Sequence, residues 1–332
     1  MNKSSENKGN RTIETESELR QLLATPPARL TAKIQPQLEA TGRSWIEKST
    51  LVGLVTRRED GSMEVGLRAG RGGVARAPDN TCIEIQNQPE RQYGAADQNL
   101  RANPFAGAIF MLPGENSTLR ANGPTRCNRE KLQIEVAETF MHCPKAFIRS
   151  RLWSGEAAPS PDPLEAEHGE ELGTSATAFL AASPFLLIGT SLKEGGADIS
   201  PRGDPAGFAH MVDRKTLLIP DRPGNNIADT FRNLLTNPEV GLLSLIPGLD
   251  WALQISGSAE VSTDPEALAP MAVQGKIPKL AIRVHVRNVR MEPAEALTTA
   301  GTWNIPSQRP DVPTLGRTLV DQVEPQGRFR AL

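Results

Sequence analysis

Short apolar runs separated by glycine, proline and asparagine set the rhythm of this chain. In its second half, runs over 184–191, 197–200, 216–220, 240–246, 251–261 and 280–290 have strand length and are bounded by turn residues. That pattern predicts a β-rich, barrel-like domain. One segment breaks the rhythm: Ile227, Phe231, Leu234 and Leu235 fall at i, i+4, i+7 and i+8, one face of a helix that Asn237-Pro238 should end. Asp264-Pro265-Glu266 predicts a second short helix, an N-cap followed by proline at the first helical position. Thr15 and Glu18 form a capping box ahead of Leu19, Leu22 and Leu23, which predicts a helix over 15–24.

The same punctuation occurs twice. Residues 49–123 lie over 183–257 without a gap, at a constant offset of 134, so that Gly61 meets Gly195, Asn99 meets Asn233, and Pro113-Gly114 meets Pro247-Gly248. Turn residues recur where backbone demands recur. After Gly257 the second copy carries an insertion, and the match resumes at an offset of 150, with Met141 on Met291 and Ala146 on Ala296. A period of domain length, present twice, reads as a tandem duplication whose halves face each other as two subunits would. The expected divisions are copy one with its N-terminal helices (1–153), a Pro-, Glu- and Ala-rich linker (154–174), copy two (175–297) and a C-terminal tail (298–332). The fold class is mainly β with short helices: two tandem barrels packed as an intramolecular pseudodimer, with further dimerisation left open.

Composition narrows the partners. At 38% apolar and 23% charged over 332 residues the chain is globular and about two domains long. A net charge of -2, with Lys and Arg dispersed, gives no basic field for nucleic acid. No run of 18 apolar residues exists and the polar amino terminus lacks an apolar core segment, so neither a membrane span nor a secretory signal is expected and the chain reads as cytoplasmic. Cys82, Cys127 and Cys143 are odd in number and lack CxxC spacing, which points to neither a disulfide framework nor a zinc site.

Three segments concentrate polar chemistry. At Asp198–Phe208 a strand should end in a turn dense in Ser, Arg, Asp and Gly, which brings backbone close to a ligand. At 219–233, Arg222, Gly224 and Asn225 precede the predicted helix and Arg232 lies two turns in. An arginine beside unpaired N–H groups and a positive dipole end makes a phosphate clamp, the alternative being plain turn residues with Asn225 as a cap. At Met141–Trp153 a strand end feeds a helix with Lys145 and Arg149 on one face, at i and i+4, which alone would suit a solvated face.

Together, SPRGDPAGF (200–208), IPDRPGNNIADTFRN (219–233), NPEVGLLSLIPG (237–248), GKIP (275–278) and HCPKAFIRSRLW (142–153) resemble the pyridoxamine 5'-phosphate oxidase-like family of FMN-binding split β-barrels. The resemblance implies split barrels and FMN at a dimer interface, held by loops of both subunits. The order departs from the family, where the HCPKAFIRSRLW string should follow GKIP; here it ends copy one while the other four strings belong to copy two. The losses are complementary, since Gln88 stands opposite Arg222 and Glu295 opposite Lys145. One composite FMN site, built across the copies, is therefore expected. The resemblance implies Arg222, the helix start near Asn225 and Lys276 for the phosphate, with Arg232 nearby; Ser200, Arg202 and Asp204 along the flavin ring; and Lys145 and Arg149 closing the site. Arg68 persists opposite Arg202, which favours a structural role at that position. His142 is a candidate for proton transfer, with a packed or exposed histidine as the alternative. The implied activity is that of an FMN-dependent oxidoreductase on a small-molecule substrate, with NAD(P)H as candidate electron donor. A non-catalytic flavin carrier, or a barrel repurposed for haem or deazaflavin, is the competing expectation.

Overall fold

The computed structural model describes residues 12–86, 94–128, 130–306 and 312. Gln88, Pro89 and most of the expected tail lie outside the described residues. The first half contains α1 (Glu16–Leu22), α2 (Ala28–Thr31), α3 (Ala40–Lys48), α4 (Gly94–Ala102) and α5 (Lys145–Ser150). Its strands are β1 (Thr12–Ile13), β2 (Leu51–Arg57), β3 (Met63–Ala69), β4 (Ala75–Arg76), β5 (Cys82–Gln86), β6 (Phe105–Met111), β7 (Thr118–Cys127), β8 (Lys131–Glu135) and β9 (Glu138–His142). The second half follows with β10 (Glu167–Gly169), β11 (Phe185–Leu192), β12 (Gly195–Gly203), β13 (His210–Asp213), β14 (Thr216–Pro220), β15 (Glu239–Leu245), β16 (Trp251–Ser262) and β17 (Ala281–Pro293). Its helices are α6 (Thr174–Ala182), α7 (Asp229–Thr236), α8 (Pro265–Leu268) and α9 (Glu295–Ala300).

Two antiparallel sheets result, and they share one strand order. The first runs β3-β2-β6-β7-β8-β5-β4, with β9 also on β7; the second runs β12-β11-β15-β16-β17-β14-β13. Neither path closes on itself, as in a split barrel. The single long β17 occupies the place of β8 and β9 together, displaced by 150 residues, and α8 with a short 3-10 turn fills the insertion. Asp264 caps α8 as the sequence predicts, and the Thr15/Glu18 box caps α1. Details recur at the 134-residue spacing too: Asn99 Nδ2 donates to Thr56 Oγ1 and Asn233 Nδ2 to Thr190 Oγ1, both at 2.9 Å.

Each half has its own apolar core, and a third cluster lies between them. There Leu51, Val55 and Val65 of the first half meet Leu187, Ile199 and Leu243 of the second, all nearly inaccessible. Burial of this kind stabilises by about 25 cal/mol per Å² of apolar surface, so the halves pack face to face as one body. Trp153 and Trp303, equivalent at the 150-residue offset, stack obliquely with centroids 5.9 Å apart.

Two expected divisions need correction. The helix α1 packs on the other half: Leu19 and Leu23 are buried in the second core, and β1 pairs with β16. The linker is also more than a tether, since β10 pairs with β17 and Thr174 begins α6. Both assignments turn on tertiary pairing, which local sequence does not encode.

Candidate functional site

The site lies where α5 of the first half meets the end of β12 in the second. Sequence brings them together through a glycine: a side chain at Gly203 would collide with the Ala146 carbonyl, so only glycine permits this approach. Arg149 Nε then donates to the Gly203 carbonyl at 2.9 Å and lies 3.7 Å from Asp204. The opposing Arg222 Nε donates to the other Asp204 oxygen at 2.6 Å. One buried carboxylate thus holds a guanidinium from each half.

Two adjoining clefts, of about 90 and 100 Å³, share a wall of His142, Arg202, Asp221, Arg222, Gly224 and Asn225. The first is closed by Lys145 and Arg149, the second by Ser200, Phe231 and Leu23. Burial pushes the Arg149 and Arg202 guanidinia down from their ordinary values, against the neighbouring carboxylates, and pushes the Asp221 carboxyl up. Arg202 Nη2 donates to Thr230 Oγ1 at 3.1 Å and its guanidinium lies over the Phe231 ring. His142 is buried, its imidazole held well below the ordinary value by desolvation and then by the charges of Arg120 and Arg202. It is therefore neutral near pH 7, and its Nε2 has no hydrogen-bond partner among the described residues. An orphaned polar atom on a cleft wall, together with four basic side chains, suits a polyanionic ligand with hydrogen-bonding heteroatoms.

Eight of the ten expected site residues gather here: Ser200, Arg202, Arg222, Asn225, Lys145, Arg149 and His142 line the clefts, and Asp204 ties Arg222 to Arg149 behind them. Three expectations need correction. The helix does not start at Asn225; Ala228 in the left-handed region (φ 69°) delays α7 to Asp229, and Asn225 Oδ1 instead accepts from Ile227 N at 3.1 Å. An aspartate in the first turn also opposes an anion there. Lys276 sits on the exposed turn closed by Val273 and Lys276, outside both cleft walls. Arg232 pairs with Glu16 at 3.3 Å and faces a separate cavity of about 340 Å³.

One group escaped the sequence reading. Arg120 of β7, almost fully buried, binds Asp198 and Asp229 of the second half and Glu138 of the first. Burial would push its guanidinium down, but the three carboxylates push it up, so it stays charged; Asp198 and Glu138 are raised by burial despite the pairing. The signal was available: its counterpart at the 134-residue offset is the uncharged Gln254.

Residues 173–293 match the family described as pyridoxamine 5'-phosphate oxidase, a match confined to the second half of the chain. Among solved structures, HupZ of Group A Streptococcus shares 16% identity over 36% of this chain and 92% of its own, with a TM-score of 0.30. A Lactobacillus delbrueckii protein assigned as a pyridoxamine 5'-phosphate oxidase shares 15% over 36% of this chain and 98% of its own, at 0.29. An F420 reductase shares 17% over 31% of this chain and 97% of its own, at 0.23. Curated proteins give no match. No helix among the described residues is long and apolar enough to cross a membrane.

Proposed function

We propose that the protein is an FMN-dependent oxidoreductase with one flavin site per chain, formed between the two halves. The observation that carries this reading is the seating of α5, with Lys145 and Arg149, against the Gly203–Asp204 turn and Arg222. Lys145, Arg149 and Arg222 would hold the phosphate, since these three cations crowd one cleft in which Asp204 pairs with two of them and Asp221 lines the wall. Arg202 and Ser200 would face the ring, and a cation there favours the anionic reduced flavin. The neutral His142 offers Nε2 as a hydrogen-bonding atom at the junction of the clefts. When bound, FMN supplies the hydride and electron chemistry. The equal strand order of the two sheets supports an origin in tandem duplication. A small-molecule substrate and NAD(P)H as electron donor complete the reading.

The test is to purify the chain, denature it and identify the released cofactor, then to titrate FMN into the apoprotein and into Lys145→Ala/Arg149→Ala. Each charge-assisted contact is worth roughly 1.5–3 kcal/mol when buried, and Lys145 is exposed, so the double variant should lose about ten- to a hundred-fold in affinity. Bleaching of the bound flavin by NADPH and its recovery in air would establish redox access. Released haem or deazaflavin, or a double variant with unchanged FMN affinity, would contradict the reading.

A further inference from the structure

The loop shared by both clefts holds Ala228 in a backbone conformation that alanine disfavours. Ala228 sits in the left-handed region at φ 69°, as does Asn226 at φ 59°, a residue type that tolerates it. An alanine in that region persists only where the surroundings hold it. Within the loop, the Asn225 side chain bonds Ile227 N and leaves the Asn226 and Ile227 carbonyls to other donors.

Those two carbonyls accept from one side chain more than two hundred residues away. Arg20 Nη1 donates to Asn226 O at 2.8 Å and Nη2 to Ile227 O at 3.1 Å. The planar fork of a guanidinium can bridge two successive carbonyls at once, whereas an ammonium presents no such fixed pair. Arg20 is itself held firmly. Its helix, α1, is capped by the Thr15/Glu18 box and anchored by Leu19 in the second core. Lys279 Nζ donates to Leu22 O at 3.0 Å, and Leu23, just beyond the helix, enters the wall of the second cleft.

We infer that Arg20 is a positioning residue for the candidate flavin site, and that the segment Thr12–Leu23 straps the 222–228 loop into its cleft-forming shape. The flavin part of this inference rests on the function proposed above; the loop-holding part does not. Arg20 touches carbonyl oxygens behind the cleft wall and acts through the loop. Its loss should free the loop to relax toward ordinary backbone angles, and a bound ligand should then leave faster with little change in its rate of arrival.

Hydrogen–deuterium exchange on the full-length apoprotein tests the strap without any flavin. Amides of 225–230 should exchange about tenfold faster in Arg20→Ala, with Arg20→Lys intermediate and with amides of β2 and β6 unchanged. Gln21→Ala, at an exposed position of the same helix, should leave the loop as in wild type. The strap is overturned by equal loop exchange in Arg20→Ala and wild type, by a uniform rise at all amides, or by an equal effect from Gln21→Ala. Stopped-flow release of FMN then tests the link to the site: about a tenfold faster dissociation in Arg20→Ala is expected. An unchanged rate alongside faster loop exchange would overturn the positioning role. Absence of FMN binding in wild type would contradict the proposed function, while the exchange result would still decide whether Arg20 holds the loop.

Discussion

Gly53 lies directly against Leu187, the residue that occupies its own position in the second half of the chain at the 134-residue offset. A side chain at Gly53 would come within 2.5 Å of Leu187 Cδ1. Two residues along, the pairing is reversed: Gly189 faces Val55, its own counterpart. Equivalent residues touch only on a pseudo-twofold axis, and there a homodimer must place each side chain against a copy of itself. This chain places a large residue against a glycine, twice and in opposite senses.

Exchanging the pair should therefore reveal strong coupling. Gly53→Leu overpacks the interface and should cost about 1–3 kcal/mol or more, and Leu187→Gly leaves a cavity costing about 2–5 kcal/mol. The double exchange restores a small–large pair and should recover about 2 kcal/mol relative to the sum. Urea unfolding of the four proteins measures this. Simple additivity would contradict the axial arrangement.

Arg120 should be a keystone for stability. Removing it leaves Asp198, Glu138 and Asp229 in one another's field with no guanidinium between them. Loss of one partner from a buried ionic cluster costs about 3–5 kcal/mol, so Arg120→Ala should shift the unfolding midpoint far more than Arg126→Ala on the exposed part of the same strand, where the change should be within about 0.5 kcal/mol. Similar shifts for the two variants would contradict the cluster's role.

His142 should give the apoprotein an acid-sensitive limb. Its pKa in the folded state lies well below 6.5 because burial excludes the charged form. As pH falls below 6.5 the unfolded chain takes up a proton that the folded chain refuses, so stability drops, by up to about 1.4 kcal/mol per pH unit, until the folded pKa is reached. Raised carboxylates such as Asp198 act with the opposite sign, because as pH falls the folded state takes up their protons before the unfolded chain does. The difference between wild type and His142→Gln isolates the histidine: the variant should lose less stability between pH 7 and 5. Parallel pH curves would show that His142 is not held neutral.

Turn residues repeated at a fixed spacing were enough to reveal two like sheets, and complementary charge losses pointed to the juncture of α5 and β12. What escaped was what depends on contact across the molecule. The apolar face of α1 suits either core, so nothing local to Leu19 says that it belongs to the second. The start of α7 is not legible either, because Ala228, a good helix former, is held in the left-handed region by its surroundings. Nothing local marks Arg120, because a polar residue in a strand ordinarily faces water; only its contrast with Gln254 sets it apart.

The proposed single flavin site per chain follows from what the second, pseudo-equivalent position lacks. Across the pseudo-twofold axis the equivalent positions hold Glu295 in place of Lys145 and Thr299 in place of Arg149, and Arg68 is buried against Asp97 at 2.8 Å. A calorimetric or fluorescence titration of the apoprotein with FMN measures occupancy directly. Saturation at one FMN per chain, in a single binding class, is the predicted result; two equivalent flavins per chain, or none, would contradict it.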